Sequence, residues 1–202
     1  MTIVAYRHAG YDTPWWANPN SAAGRFHRAN EATTQYLCTH PLGPAAEMLR
    51  HNVGPDGARE ADTVRLNLWA ARIETDGLST VDFDDCATHN ITPDELVGDD
   101  YAPTQELADA LRDHGATGIV FPSAALPGTY NVALFGPRML HPYLWEPVVP
   151  EEMPTGHVSD GASAPAEVAP IVRWFGADHT ALSEWKATGS YTLFDDPQAT
   201  RW

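Results

Sequence analysis

Arg25-Phe26-His27-Arg28-Ala29-Asn30-Glu31-Ala32-Thr33-Thr34-Gln35-Tyr36-Leu37-Cys38-Thr39-His40-Pro41-Leu42-Gly43-Pro44-Ala45-Ala46-Glu47 reads as the end of a loop, a short strand and the start of a helix. Thr34 to Thr39 has strand composition. The helix begins between Pro41 and Pro44, because proline fits a first helical turn whose N–H groups have no partner anyway. Leu42, Ala45, Ala46, Leu49 and Val53 then fall on one face at helical spacing. Glu47 lies off that face, so periodicity alone makes it a solvated helix glutamate.

The same stretch carries chemistry. Arginine forks onto phosphate, tyrosine stacks on a flat base, and a carboxylate steadies developing positive charge. Together these suit a nucleotide whose glycosidic bond is to be broken. On residue type alone the plainer reading stands beside it: Arg25 and Glu47 as an ion pair worth little if exposed, and Tyr36 as a core residue.

Working outward, residues 3 to 8 read as a strand delivering Tyr6 and Arg7 to its end. Residues 9 to 33, with Asp12-Thr13-Pro14 and Asn18-Pro19-Asn20, read as a long loop. Trp15-Trp16 suits a lid or a partner-facing patch within it. Downstream, Val64 to Glu74 alternates at period two and reads as a strand, as does Thr80 to Phe83. Pro93 opens a short helix. Thr104 to His114 forms a longer one, with Leu107, Ala108 and Leu111 as its buried stripe and Gly115 closing it. Gly118 to Phe121 is an apolar strand stopped by Pro122, and Asn131 to Phe135 another after the turn Pro127-Gly128-Thr129. Mixed strands and helices of this kind predict an α+β domain built on a mixed sheet with flanking helices. From about residue 140 prolines punctuate the chain and Ser159-Asp160-Gly161-Ala162-Ser163 looks flexible. Residues 1–139 are therefore expected to form the functional domain, and 140–202 an extension packed on it and partly loop.

With 202 residues and 43% apolar content the chain can bury a real core. Its 27 acidic residues against 12 basic ones, a net charge of −15, make a poor surface for nucleic acid, so no direct binding to it is expected. Lys186 is the only lysine, so any phosphate site must be built from arginine, backbone amides or hydroxyls. Cys38 and Cys86 give neither a disulfide framework nor zinc spacing. The N-terminus lacks the pattern of a signal peptide, and no apolar run is long enough for a membrane span. A cytoplasmic location follows as the expectation.

Residues 5 to about 136 resemble the RES domain family, named for an arginine, a glutamate and a serine. The resemblance rests on Tyr6-Arg7 with Gly10, Gly24-Arg25-Phe26, Tyr36-Leu37, Pro44-Ala45-Ala46-Glu47, Thr104-Gln105-Glu106-Leu107-Ala108, Gly118-Ile119-Val120-Phe121-Pro122-Ser123 and Asn131-Val132-Ala133-Leu134-Phe135. Each piece is short; their order and spacing carry the match. Where many members read Gly-Arg-Trp-Asn, this chain has Gly24-Arg25-Phe26-His27.

The resemblance implies a fold similar to ADP-ribosyltransferase toxins and degradation of NAD⁺, by phosphorolysis to ADP-ribose-1″-phosphate and nicotinamide or by hydrolysis. It also implies a toxin paired with an Xre-type helix-turn-helix antitoxin, and leaves room for a homodimer. Glu47, Arg7 and Ser123 match the family's catalytic positions, and Arg25 and Tyr36 its substrate contacts, with Tyr6 and Phe26 beside them. Glu47 is then expected to stabilise the cationic sugar, Arg7 and Arg25 to grip the pyrophosphate or an attacking inorganic phosphate, and Tyr36 to stack on nicotinamide. Ser123 would hydrogen-bond the ribose or orient Glu47.

NAD⁺ is thus expected as substrate rather than redox cofactor, since no Gly-rich dinucleotide fingerprint is present. The nine histidines match no zinc spacing, so no metal is expected. Ser123 lacks the Gly-x-Ser-x-Gly turn of a nucleophilic serine. Two other readings stand: transfer of ADP-ribose to a protein or small-molecule acceptor at the same site, or a non-catalytic protein that binds a partner through its Trp-rich loop and acidic extension.

Overall fold

A computed structural model describes residues 1–8, 22–31, 34–54, 65–135, 156–163 and 167–194. Trp15-Trp16 and most of the predicted loop lie outside them. Strands β1 (Thr2–His8), β2 (Thr34–Cys38), β3 (Arg65–Glu74), β4 (Leu78–Thr80), β5 (Gly118–Pro122), β6 (Tyr130–Phe135) and β7 (Gly156–Ser163) form one sheet in the order β4-β5-β6-β2-β1-β3-β7. Only β4 and β5 run parallel; all other neighbours are antiparallel. The helices are α1 (Gly43–Met48), α2 (Pro93–Val97), α3 (Ala102–Asp113) and α4 (Thr180–Thr188). This is the expected mixed α+β architecture.

Two expectations are corrected. The strand expected over Thr80 to Phe83 lies earlier: β4 is Leu78–Thr80, and after the Val81 amide has met the Val120 carbonyl at 3.0 Å the chain turns away. The carboxylates of Asp85 and Asp82 take the amides of Asp82 and Phe83 at 3.0 and 2.7 Å, giving the backbone side-chain partners in place of a ladder. Val81 and Phe83 are nevertheless buried in the core. The second is Ser159 to Ser163, which looks flexible by composition yet belongs to β7 and pairs with β3. An edge strand needs only a neighbour's backbone, and small polar residues carry no alternation to announce it.

β7 therefore adds a strand from beyond residue 140 to the same sheet. Later residues enter the core as well. Val168 and Val172 pack with Leu42, Ala45, Ala46, Leu49 and Leu126, and Leu182 joins the main cluster around Phe26, Phe121, Leu107 and Ile119.

This packing explains how α1 is set. Its apolar stripe, read from the sequence, is covered by Leu126, Val168 and Val172, which leaves Glu47 free to turn toward the sheet. Gly43 allows the close approach: a Cβ there would stand 2.5 Å from the Cβ of Cys38 on β2. After Met48 the helix widens into a π-helical turn, Leu49–Val53, closed by the amide of Gly54 on the carbonyl of Leu49 at 3.0 Å.

Candidate active site

Register decides which side chains share a side of the sheet, because directly opposed residues on neighbouring strands point the same way. Tyr6 is opposite Cys38, Cys38 opposite Asn131, Tyr36 opposite Ala133, and Asn131 opposite Phe121. Tyr6, Tyr36, Cys38 and Asn131 therefore lie on one side, the side on which Glu47 of α1 meets Asn131 and Gly43 abuts Cys38. By alternation Arg7 starts on the other, with Ala5, one residue before β1 ends. Arg7 is partly buried, and desolvation pulls its guanidinium below the ordinary value.

Glu47 is the centre of the arrangement. Its Oε1 accepts from Nδ2 of Asn131 at 2.7 Å, and its Oε2 stands 3.4 Å from Nε2 of His51, one helical turn on. Its side chain is 28% exposed, so it is neither the solvated glutamate of the periodicity argument nor sealed from a ligand. Burial pushes its carboxyl up. The hydrogen bond and charge of His51, the bond from Asn131 and the charge of Arg25 outweigh that, and the carboxyl sits below its ordinary range. At neutral pH it is an anion.

Arg25 lies in the turn Gly24–His27, which α3 holds from beneath. Thr104 Oγ1 donates to the Arg25 carbonyl at 2.6 Å, Gln105 Nε2 to those of Gly24 and His27 at 2.9 and 3.1 Å, and Arg112 Nη2 to that of Phe26 at 2.6 Å. The Arg25 guanidinium is buried and its two terminal nitrogens donate to the carbonyls of Leu96 and Gly98 at 2.9 and 2.8 Å. Those carbonyls close α2 and have no partner within the helix, so the fork completes it and meets the negative end of its dipole. Arg25 also lies 5.1 Å above the ring of Tyr101. Two of its donors are thus spent on the fold before any ligand arrives, and its charge is fixed near Glu47.

Tyr36 is tied by its hydroxyl, which accepts from the Phe26 amide at 2.9 Å and meets Nδ1 of His27 at 2.8 Å. Nε2 of His27 faces the Ala22 carbonyl at 2.9 Å, so a neutral ring with its proton on Nε2 satisfies both contacts and accepts from Tyr36. Burial lowers His27 and raises the Tyr36 phenol, in keeping with two neutral partners. The departure Phe26-His27 is thereby accommodated: His27 locks Tyr36, and Phe26 packs edge-on to Phe121 at 4.5 Å between ring centroids.

Two predicted site residues do not present themselves to a ligand here. Phe26 is fully buried, so its ring supports the turn and does not line a surface. Ser123 is also fully buried; its Oγ accepts from the Leu126 amide at 3.1 Å and its carbonyl faces Nε2 of His179 at 3.0 Å. The side-chain contact with Glu47 that was one of the two expectations for Ser123 is made by Asn131. By residue type and position Asn131 is simply the start of a strand, with nothing local to assign it a task. His51 and Tyr101 were likewise missed; the i, i+4 spacing from Glu47 was the one available signal for His51.

Among the described residues no group of three histidines, cysteines or carboxylates is placed to hold a metal ion, and no helix is long and apolar enough to cross a membrane.

Comparisons with known proteins bear on the family and the fold. The model of the RES domain matches residues 3–150. A relative from Mycobacterium tuberculosis, a probable NAD(+) phosphorylase, is 31% identical over 119 residues, covering 59% of this chain and 56% of the relative. The chain thus spans little more than half of that protein's length. The crystal structure of the M. tuberculosis MbcT-MbcA toxin-antitoxin complex contains a similar fold, with a TM-score of 0.57 at 14% identity over 85% of this chain and 89% of the other.

Proposed function

The chain belongs to the RES domain family, and from that premise we propose that it is an NAD⁺-consuming enzyme that breaks the nicotinamide–ribose bond. The observation that carries the reading is Glu47, an ionised and partly exposed carboxylate gripped at both oxygens, with Arg25 fixed nearby. Nicotinamide leaves NAD⁺ as a neutral molecule and needs no general acid. The demand falls on the sugar, whose anomeric carbon becomes electron-poor, and a preorganised carboxylate answers it without reorganising.

In this reading Glu47 faces the ribose and stabilises the cationic sugar. Tyr6 and Tyr36, on the Glu47 side of the sheet, flank the nicotinamide end. Arg7, which starts on the opposite side of the sheet at the end of β1, takes the pyrophosphate or an inorganic phosphate by reaching past that strand end, where the planar guanidinium can fork onto it. Arg25 contributes fixed positive charge more than a fork. Phe26 and Ser123 hold the turn and the β5 exit beneath the site.

The similarity to a probable NAD(+) phosphorylase favours inorganic phosphate as the attacking group. The test is nicotinamide release from NAD⁺ by purified protein, with and without phosphate, with products identified by mass. Phosphate-dependent release of ADP-ribose-phosphate supports phosphorolysis. Phosphate-independent release of ADP-ribose makes the enzyme a hydrolase. Absence of release from folded protein overturns phosphorolysis and hydrolysis, in favour of ADP-ribosyl transfer to an acceptor that the assay lacks or of partner binding.

A toxin role with an antitoxin partner belongs to the same proposal, by likeness of fold to a member of the MbcT-MbcA complex. An Xre-type helix-turn-helix protein is the partner class to try. Growth arrest on expression of this chain, relieved by Glu47→Gln, is the expected result; unimpaired growth with active enzyme present would remove the toxin role and leave the chemistry.

A further inference from the structure

Resting on that reading of Glu47, we propose that His51 is a positioning residue for the Glu47 carboxylate and that Phe175 holds His51 in place, so that residues 173–176 belong to the catalytic apparatus.

The argument begins with the two ends of one carboxylate. Asn131 restrains Oε1 from the sheet, and His51 restrains Oε2 from within the helix, at 2.7 and 3.4 Å. With only the Asn131 contact the carboxylate could rotate about its last bond; two contacts from different directions fix its plane. The His51 side chain is 42% exposed and sits on the widened π-helical turn, so the helix alone does not fix the ring. Single π turns inside helices recur at functional sites.

Phe175 supplies the restraint. Its ring meets His51 edge-on at 5.2 Å and lies 4.2 Å from the Arg50 guanidinium, touching two consecutive residues of that turn. At 47% exposed, Phe175 is not a core residue. Its position is set from both sides by Asp99: Arg173 Nη1 donates to Oδ1 at 3.1 Å and the Gly176 amide to Oδ2 at 2.7 Å. The same Oδ1 takes Nη2 of Arg50 at 2.5 Å. Asp99 thereby locks the segment carrying Phe175 to the turn carrying His51, and an exposed aromatic is spent on an exposed imidazole whose other partner is Glu47.

The test uses the full chain and nicotinamide release from NAD⁺, with kcat and KM measured separately for His51→Ala, His51→Gln, Phe175→Ala, Glu47→Gln and the double variant His51→Ala/Glu47→Gln. His51→Ala is expected to lower kcat about 10-fold and Phe175→Ala about 3-fold with KM nearly unchanged, since misplacing a catalytic group by less than 1 Å costs on that order. His51→Gln, whose amide can donate to the same oxygen, should recover most of the loss. In the Glu47→Gln background His51→Ala should cost nothing further, the non-additivity of residues acting as one unit. Unimpaired His51→Ala beside a crippled Glu47→Gln overturns this inference alone, and so do fully additive losses. Full turnover by Glu47→Gln overturns the assignment of Glu47 and this inference with it.

Discussion

Nδ2 of Asn131 donates to Oε1 of Glu47 at 2.7 Å, joining β6 to α1 across 84 positions of the chain. Only the amide nitrogen can face an ionised carboxylate, so the contact also fixes which way the Asn131 amide points. Asn131→Ala should lower kcat about 10-fold by freeing one carboxylate oxygen. Asn131→Asp should cost more, because a second carboxylate there raises the Glu47 pKa and shifts the acid limb of the pH–rate profile upward. An unchanged acid limb in Asn131→Asp would show that Glu47 is not the group titrating in turnover.

Glu47→Gln keeps the shape and removes the charge. Turnover should fall about 10²-fold or more, the scale of losing one preorganised electrostatic stabiliser, with NAD⁺ binding nearly intact. Arg7→Ala should show the reverse pattern, a raised KM with a smaller change in kcat. Calorimetric titration of NAD⁺ into each variant separates the two.

Arg25→Ala removes the buried fork that serves the Leu96 and Gly98 carbonyls. The loss should be about 3 kcal/mol of unfolding free energy, since charge-assisted bonds are lost and buried acceptors are left without a donor. Lysine cannot span both carbonyls, so Arg25→Lys should recover less than half of it. Urea unfolding reads both. A loss of activity in Arg25 variants without loss of stability would point to direct ligand contact instead.

Asp99→Ala leaves the buried Arg50 and its neighbour Arg173 without their shared carboxylate. Removing one member of such a group costs about 3 kcal/mol, discounted from the fully buried case because Asp99 itself is partly exposed. The segment around Arg173 should loosen first, which hydrogen exchange at the Gly176 amide would report.

His179 should make stability fall in mild acid. It caps α4 by accepting from the Leu182 amide at Nδ1, 3.1 Å away, and donates from Nε2 to the Ser123 carbonyl. Burial pulls its pKa from 6.5 down to about 4. A protonated ring would set N–H against N–H at the cap. The unfolded chain binds this proton first, so the penalty is absent above about pH 6.5, grows as pH falls toward 4, and levels off below that at about 3 kcal/mol. His179→Asn caps without titrating, and the difference between wild type and variant should vary over that window.

Much of the architecture is legible in residue order. Alternation marks β3, apolar runs bounded by proline and glycine mark β5 and β6, and Leu107, Ala108 and Leu111 mark α3; each is local, with its cause within a few residues. β4 is displaced from the predicted position because Asp82 and Asp85 offer the backbone a different set of bonds. β7 is invisible because an edge strand is stabilised by its neighbour and not by its own composition.

The candidate site divides in the same way. Arg25, Tyr36 and Glu47 stand out by residue type and order, and local composition alone marks the loop end, strand and helix that carry them. Their partners were decided by tertiary structure. Asn131 reaches Glu47 only because β6 pairs with β2 in one register and α1 lies close over β2 through Gly43. Arg25 is committed to α2 only because α3 fixes the turn beneath it, and Phe26 and Ser123 are withdrawn from the surface by packing that joins distant segments. A single residue's chemistry is written in its side chain, but a hydrogen bond needs two groups within about 3 Å, and for groups far apart in the chain only the folded backbone sets that distance.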